Sequence, residues 1–254
     1  MRDTQVTPSG DRLRWVEIPG AEPARVYVHG LGASSPVYYA AAAAHPLLVG
    51  RRSLLVDLLG FGISDRPADF PYTPQAHADA LATALRAAGV RGAQVIGHSM
   101  GGAVVTALAA RHPELVSALV LVDANLDPVT PVRRPGSSGI ATFTEREFLD
   151  GGWREVREMA GPFWWATMRL AGREALYRSA AHRAGGAEPT TRARLLDLPM
   201  ARTFLYPEAD GEPDGAERLR GAGVRVVAVP DCGHNIMFDN PDGFARAVAE
   251  VPGG

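Results

Sequence analysis

"QVIGHSMGGAVV", residues 94–105, decides how this chain is to be read. Its first half is an apolar run of strand length, and its second half is an Ala/Val-rich helical pattern. Between them, Gly97-His98-Ser99-Met100-Gly101 puts a hydroxyl at the apex of a tight turn with small residues on either side. A strand that stops at Gly-x-Ser-x-Gly and passes straight into a helix has the form of a nucleophile elbow: small neighbours let the turn close, and the serine Oγ is pushed outward. The helix that follows then aims backbone N–H groups at negative charge developing beside its N-terminus. On this reading Ser99 is a nucleophile.

Outward from the elbow, the same alternation repeats. "LRWVEIP" (13–19), "ARVYVHG" (24–30), "RSLLVDLLG" (52–60), "VSALVLVDA" (116–124), "ARTFLYPEAD" (201–210) and "VRVVAVPDCGH" (224–234) read as strands. "YYAAAAAHP" (38–46), "TPQAHADALATALRAAG" (73–89), "GGAVVTALAARHPE" (101–114) and "DGFARAVAEV" (242–251) read as helices. Apolar strands alternating with helices predict an α/β fold, a mostly parallel central sheet with helices on both faces. One segment breaks the rhythm. Residues 125–198, including "TEREFLDGGWREVREM", "GPFWWATMRLAG" and "REALYRSAAHR", read as helical throughout, with no good strand. We therefore expect a core of residues 1–124 and 199–254 and a helical cap over 125–198. Such a cap would roof the C-terminal strand edge, where open sheets bind ligands. Trp153, Trp164 and Trp165 fall in it and are candidate pocket residues.

A serine hydroxyl is a weak nucleophile until a base takes its proton. His234, between the last strand and the last helix, follows Ser99 in chain order and is the candidate base. Two N–H donors are needed for the developing oxyanion. Met100 follows the nucleophile directly, and the loop His29-Gly30-Leu31-Gly32 after an early strand offers Leu31 as the second donor. His29, Gly30 and His98 are expected beside the substrate.

Taken together, His-Gly-Leu-Gly, "DLLGFGISDRP" (57–67), Gly-His-Ser-Met-Gly-Gly and "GHNIMFDNPDGFA" resemble, in chain order, the α/β-hydrolase superfamily in its serine-nucleophile branch. The resemblance implies a Ser-His-acid triad and leaves the acid open between two places. Many members carry it after the strand preceding the last, where "FLYPEADGE" offers Asp210, with Glu208 beside it. Others carry it one strand earlier, where "LVLVDANLD" offers Asp123, with Asp127 nearby. "DANLDP" resembles a bacterial subgroup with Glu-Gly-Asn-Leu at this place, and Pro207 stands where the later-acid motif usually has glycine. Both features favour Asp123, with Asp210 as the alternative acid.

Bulk composition narrows the partners. Of 254 residues, 46% are hydrophobic and 21% charged, and the net charge of −2 offers no field to nucleic acid or an anionic membrane. No apolar run reaches the ~18 residues of a bilayer span, and "MRDTQVTPSGDRLRW" lacks the apolar core of a signal peptide. The expectation is a cytoplasmic monomer or homodimer acting on a small-molecule acyl substrate, without metal or organic cofactor. The lone Cys232 excludes an intrachain disulfide and reads as a packing residue. Three functions fit: an ester, thioester or lactone hydrolase; a carbon–carbon bond hydrolase or acyl-transferring or cyclising enzyme on the same triad; and a hydrolase-fold ligand receptor with slow turnover.

Overall fold

The apolar runs become strands β2 (Arg12–Ile18), β3 (Ala21–Val28), β4 (Arg51–Asp57), β5 (Ala93–His98), β6 (Val116–Val122), β7 (Ala201–Pro207) and β8 (Val224–Val229), joined by β1 (Arg2–Gln5). In the computed structural model, which describes residues 1–186 and 188–251, they form one sheet in the order β1-β2-β4-β3-β5-β6-β7-β8. β1 pairs antiparallel with β2, and β2 with β4; every other pairing is parallel. β1 went unread in the sequence because "RDTQ" is a polar, largely exposed edge strand with no apolar alternation.

Side chains alternate across the sheet with the two-residue period of a strand. Val26, Val28, Leu54, Val56, Val95, Leu119 and Leu121 join one core; Tyr27, Leu55, Ile96, Val120 and Val122 join the other. The first core is covered by α2 (Pro74–Ala87) and α3 (Met100–Arg111), with Leu219 of α8 (Ala216–Gly221) at its margin. The second is covered by α1 (Ser35–Ala43), α9 (Ile236–Asp239) and α10 (Pro241–Ala249). α2 shows why such a segment is helical: Thr73 accepts the Ala76 N–H as N-cap, Pro74 takes the first turn, and Ala78, Leu81 and Leu85 share the buried stripe.

Parallel pairing draws one row across the sheet: Val56, Val28, Gly97, Leu121, Phe204 and Val226 stand side by side on consecutive strands. The loops leaving the strands just past this row all open on one edge. Between β6 and β7 the chain runs through α4 (Glu145–Glu147), α5 (Trp153–Met168), α6 (Arg173–Gly185) and α7 (Thr191–Asp197). Two departures from the helical reading of 125–198 stand out. Residues 124–139 hold no helix, because Pro128, Pro131 and Pro135 deny it donors and bias the preceding residues to extended backbone. α5 is broken at Gly161 (φ 72°, ψ 170°), immediately before Pro162. Residue 187 of that segment and residues 252–254 of the expected core lie outside the described residues. Among those described, no helix is long and apolar enough to cross a membrane.

His77 sits on the buried stripe of α2 against the rings of Phe70 and Tyr72, 5.2 and 5.7 Å between centroids. Among the described residues neither ring nitrogen has a hydrogen-bond partner. Burial is the leading cause that pushes its pKa down to about 3. Between the ordinary value of about 6.5 and that depressed one, the unfolded chain binds a proton that the folded chain does not. Stability is therefore full above pH ~6.5 and lost as pH falls, by up to about 1.4 kcal/mol per unit for this one group. His77→Phe should narrow the fall in melting temperature between pH 7 and pH 5, which thermal melts would register; an undiminished fall would refute the assignment.

Candidate active site

β5 ends at His98 and α3 begins at Met100, so Ser99 alone makes the turn. Its backbone is at φ 52°, ψ −120°, a conformation costing about 1–3 kcal/mol for a non-glycine residue. Three constraints hold it there. The Ser99 N–H donates to the Val122 carbonyl (3.0 Å), and the Ser99 carbonyl accepts the Gly102 N–H (3.0 Å). The third is close packing. A Cβ on Gly97 would lie 2.5 Å from Val105 Cγ2, and one on Gly101 would lie 2.5 Å from the His29 carbonyl oxygen. The glycines of the motif thus let α3 settle against the ends of β3 and β5. Side chains there would push the helix away.

His98 pairs with Val122 across β5 and β6, so the next residue on each strand, Ser99 and Asp123, leaves the sheet side by side. Asp123 also has positive φ (41°), and its N–H is tied to the Leu205 carbonyl at 2.8 Å. Its Oδ2 accepts a 2.6 Å hydrogen bond from His234 Nδ1. With the proton on Nδ1, Nε2 carries the free lone pair. The His234 loop is pinned twice: Gly233 N–H donates to Asp239 Oδ2 (2.9 Å), and His98 Nε2–H donates to the His234 carbonyl (2.9 Å). Burial holds the His98 pKa well below the usual imidazole value, so that ring is neutral and its Nδ1 is bare. Asp210 and Glu208 lie on the exposed turn after β7, and neither bonds His234 among the described residues. Asp127 is engaged elsewhere, forked by Arg192 at 2.9 and 2.6 Å.

Leu31 and Met100, the two candidate N–H donors, are both buried, and among the described residues neither amide has an acceptor within the protein. The Leu31 carbonyl accepts the Trp164 indole N–H at 2.9 Å, which ties the loop to α5. A residue that the sequence reading passed over positions this loop. Asp57, fully buried at the end of β4, accepts from Ser34 Oγ (2.9 Å), Ser35 N–H (2.6 Å) and Ile63 N–H (3.0 Å). The signal for it was present: a carboxylate closing an otherwise apolar strand must be satisfied by something.

Ser99 and His234 line one cavity of about 630 Å³, together with Gly30, Leu31, His98, Phe163 and Trp164. The loop 129–139, unforeseen as a wall, supplies most of the far side. Three sequence expectations need correction. His29 is absent from the wall: it is fully buried, Nδ1–H donates to the Gly30 carbonyl (2.7 Å), and Nε2 accepts the Leu58 N–H (3.0 Å). Trp153 and Trp165 stack on each other instead, 6.3 Å apart and 11° from parallel, away from this cavity. Met100's side chain faces a narrower neighbouring pocket of about 50 Å³, shared with His77, Asn125 and Arg183. Cys232 donates to the Val229 carbonyl (3.1 Å), and burial pushes its thiol up to about 11, which leaves it protonated.

Residues 24–151 match the family model described as alpha/beta hydrolase fold. The 2-hydroxymuconate semialdehyde hydrolase of Pseudomonas putida is 39% identical over 95 residues, 37% of this chain and 34% of that protein. The chain spans about a third of the length of the curated relatives it matches. Among solved structures, an esterase from Exiguobacterium antarcticum superposes with a TM-score of 0.74 at 18% identity, covering 96% of both chains. A thermophilic esterase from Thermogutta terrifontis gives 0.73 at 22% identity, over 98% of this chain and 97% of that one. Sheet order, elbow and family match agree, and the chain belongs to the α/β hydrolase fold family.

Proposed function

We propose that the protein is a serine hydrolase that cleaves an ester, thioester or lactone through an acyl-enzyme on Ser99. The observation that carries this reading is the 2.6 Å bond from His234 Nδ1 to Asp123, made where His234 shares a cavity with Ser99. Ser99 Oγ attacks the acyl carbon while His234 Nε2 takes its proton. Asp123 keeps the imidazole in the Nδ1–H tautomer and stabilises the imidazolium as it forms. The carbonyl oxygen, now negative, receives the N–H groups of Leu31 and Met100. Collapse expels the alcohol or thiol, protonated by His234; water, deprotonated by the same nitrogen, then releases the acid and restores Ser99. The segment 125–198 serves as the cap of this chamber, with Trp164 and the 129–139 loop setting which acyl groups fit. Similarity to a 2-hydroxymuconate semialdehyde hydrolase favours a second reading, carbon–carbon bond hydrolysis on the same residues. Turnover of a vinylogous 1,5-diketone in preference to simple esters would select it.

Ser99→Ala should lower ester turnover by at least about a thousandfold, and a fluorophosphonate should label the wild-type peptide containing Ser99. Full activity in the alanine protein would end the proposal. Asp123→Asn should lower kcat by at least about a hundredfold, whereas Asp210→Asn, on an exposed turn, should change it less than about threefold. The reverse order would move the acid to Asp210. Trp164→Ala should shift the kcat/KM ratio between butyrate and octanoate esters by roughly tenfold, the worth of a lost packing contact. Trp153→Ala should leave that ratio alone and lower the melting temperature, since its ring packs on Trp165.

A further inference from the structure

The wall of the Ser99 cavity carries charge of one sign. Arg134 and Arg183 line it, and among the described residues no Asp or Glu does. Neither guanidinium has a carboxylate within ion-pair distance among the described residues; Asp127, which lines the adjoining narrow pocket, is taken by Arg192. Arg134 is exposed, so water can solvate it. Arg183 differs. It projects from the last turn of α6, and its Nε is shut away from solvent with no hydrogen-bond partner among the described residues. Burial pushes its pKa below the usual guanidinium value, with no neighbouring charge to offset the effect. An unpaired cation so placed weakens the fold, and a guanidinium fork is the side chain best matched to a carboxylate.

Arg183 also stands where the large cavity meets the narrow pocket of about 50 Å³, for it lines both. That narrow pocket holds further unpartnered polar atoms, Ser179 Oγ among them. A carboxylate reaching the junction would find a forked cation and a hydroxyl donor there, while Asp127, the acid among the described residues of the narrow pocket, is already engaged by Arg192. Its uncharged analogue would leave the guanidinium desolvated and unpaired, which is how a buried polar group discriminates strongly between ligands.

We propose that Arg183 is the specificity-determining contact for an anionic substrate, an ester whose acyl chain ends in a carboxylate, with Ser179 Oγ as a second donor. This rests on the hydrolase reading above, and the test separates the two. Mono(4-nitrophenyl) glutarate and 4-nitrophenyl valerate differ at the chain end, carboxylate against methyl. The wild-type protein should prefer the glutarate by at least about tenfold in kcat/KM, and Arg183→Gln should reduce that ratio by at least about thirtyfold, with Arg183→Lys in between. A wild-type ratio of one or less, or a ratio unchanged by Arg183→Gln, overturns the proposal while leaving hydrolysis intact. Binding is read without turnover by calorimetry on Ser99→Ala, titrated with monomethyl glutarate and with methyl valerate. Preference for the monoester acid there, with no ester hydrolysis by wild type, would keep the anion site and sink the hydrolase reading; equal binding would sink the anion site. Should Arg183→Gln fail to fold, inhibition of wild-type valerate hydrolysis decides: free glutarate should inhibit and glutaramide should not, and equal inhibition overturns the proposal.

Discussion

Everything at the open edge of the sheet depends on one backbone position being held in a conformation it would not choose. Ser99 stays at positive φ because its N–H is spent on Val122, its carbonyl on Gly102, and because α3 is clamped against the ends of β3 and β5. Release any of these and the turn can relax into helix or strand. The strain is local, but the forces opposing it come from the whole core, where Val28, Val95, Val105 and Leu121 share one cluster. A packed interior of that size can sustain a cost of about 1–3 kcal/mol at one residue, as a small or loosely packed one could not.

The sheet then acts as a ruler. Because β5 and β6 are paired in register, Ser99 and Asp123 emerge together, and Asp123 needs only its own tight turn to meet the histidine arriving from beyond β8. A ring of buried polar groups keeps the intervening loops in place: Asp57 beneath the Gly30–Ser35 loop, His29 between Gly30 and Leu58, His98 beneath His234. Both of these histidines are held neutral by burial, so each presents one donor and one acceptor, and at His29 both are used.

How much of this could be read in advance differed by the kind of information required. The parallel strands were legible because each is a buried apolar run, and the elbow because glycine spacing reports steric closeness directly. The choice between Asp123 and Asp210 was only partly legible: "DANLDP" and Pro207 favoured Asp123, but both residues follow strand ends and a local sequence does not say which loop reaches His234. Trp153, Trp164 and Trp165 had the same signal, large apolar area in a helical segment, yet of the three Trp164 alone lines the cavity; adjacent helix positions such as 164 and 165 point in different directions, and composition does not say on which side the cavity lies. His29 looked like a substrate contact because it precedes the Gly-rich loop, whereas both of its nitrogens serve the backbone. Arg183 had no sequence signature. Its character comes from what fails to surround it.

The excursion between β6 and β7 departs from the sheet at Asp123 and returns at Ala201, and those two strands are hydrogen-bonded neighbours. It furnishes most of the cavity's outer wall but neither Ser99 nor His234. Polar bonds that tie it to the body include Trp164 Nε1–H to the Leu31 carbonyl, Arg66 Nε–H to the Leu170 carbonyl, and Gly172 N–H to the Gly60 carbonyl. Ser99, Asp123 and His234 therefore belong to one part of the chain, and most of the wall around them belongs to another. On the hydrolase reading, a chimera that exchanges residues 128–186 for the corresponding stretch of a relative, while keeping an indole at position 164, would alter diet without altering reaction, and gene duplicates can diverge along the same seam.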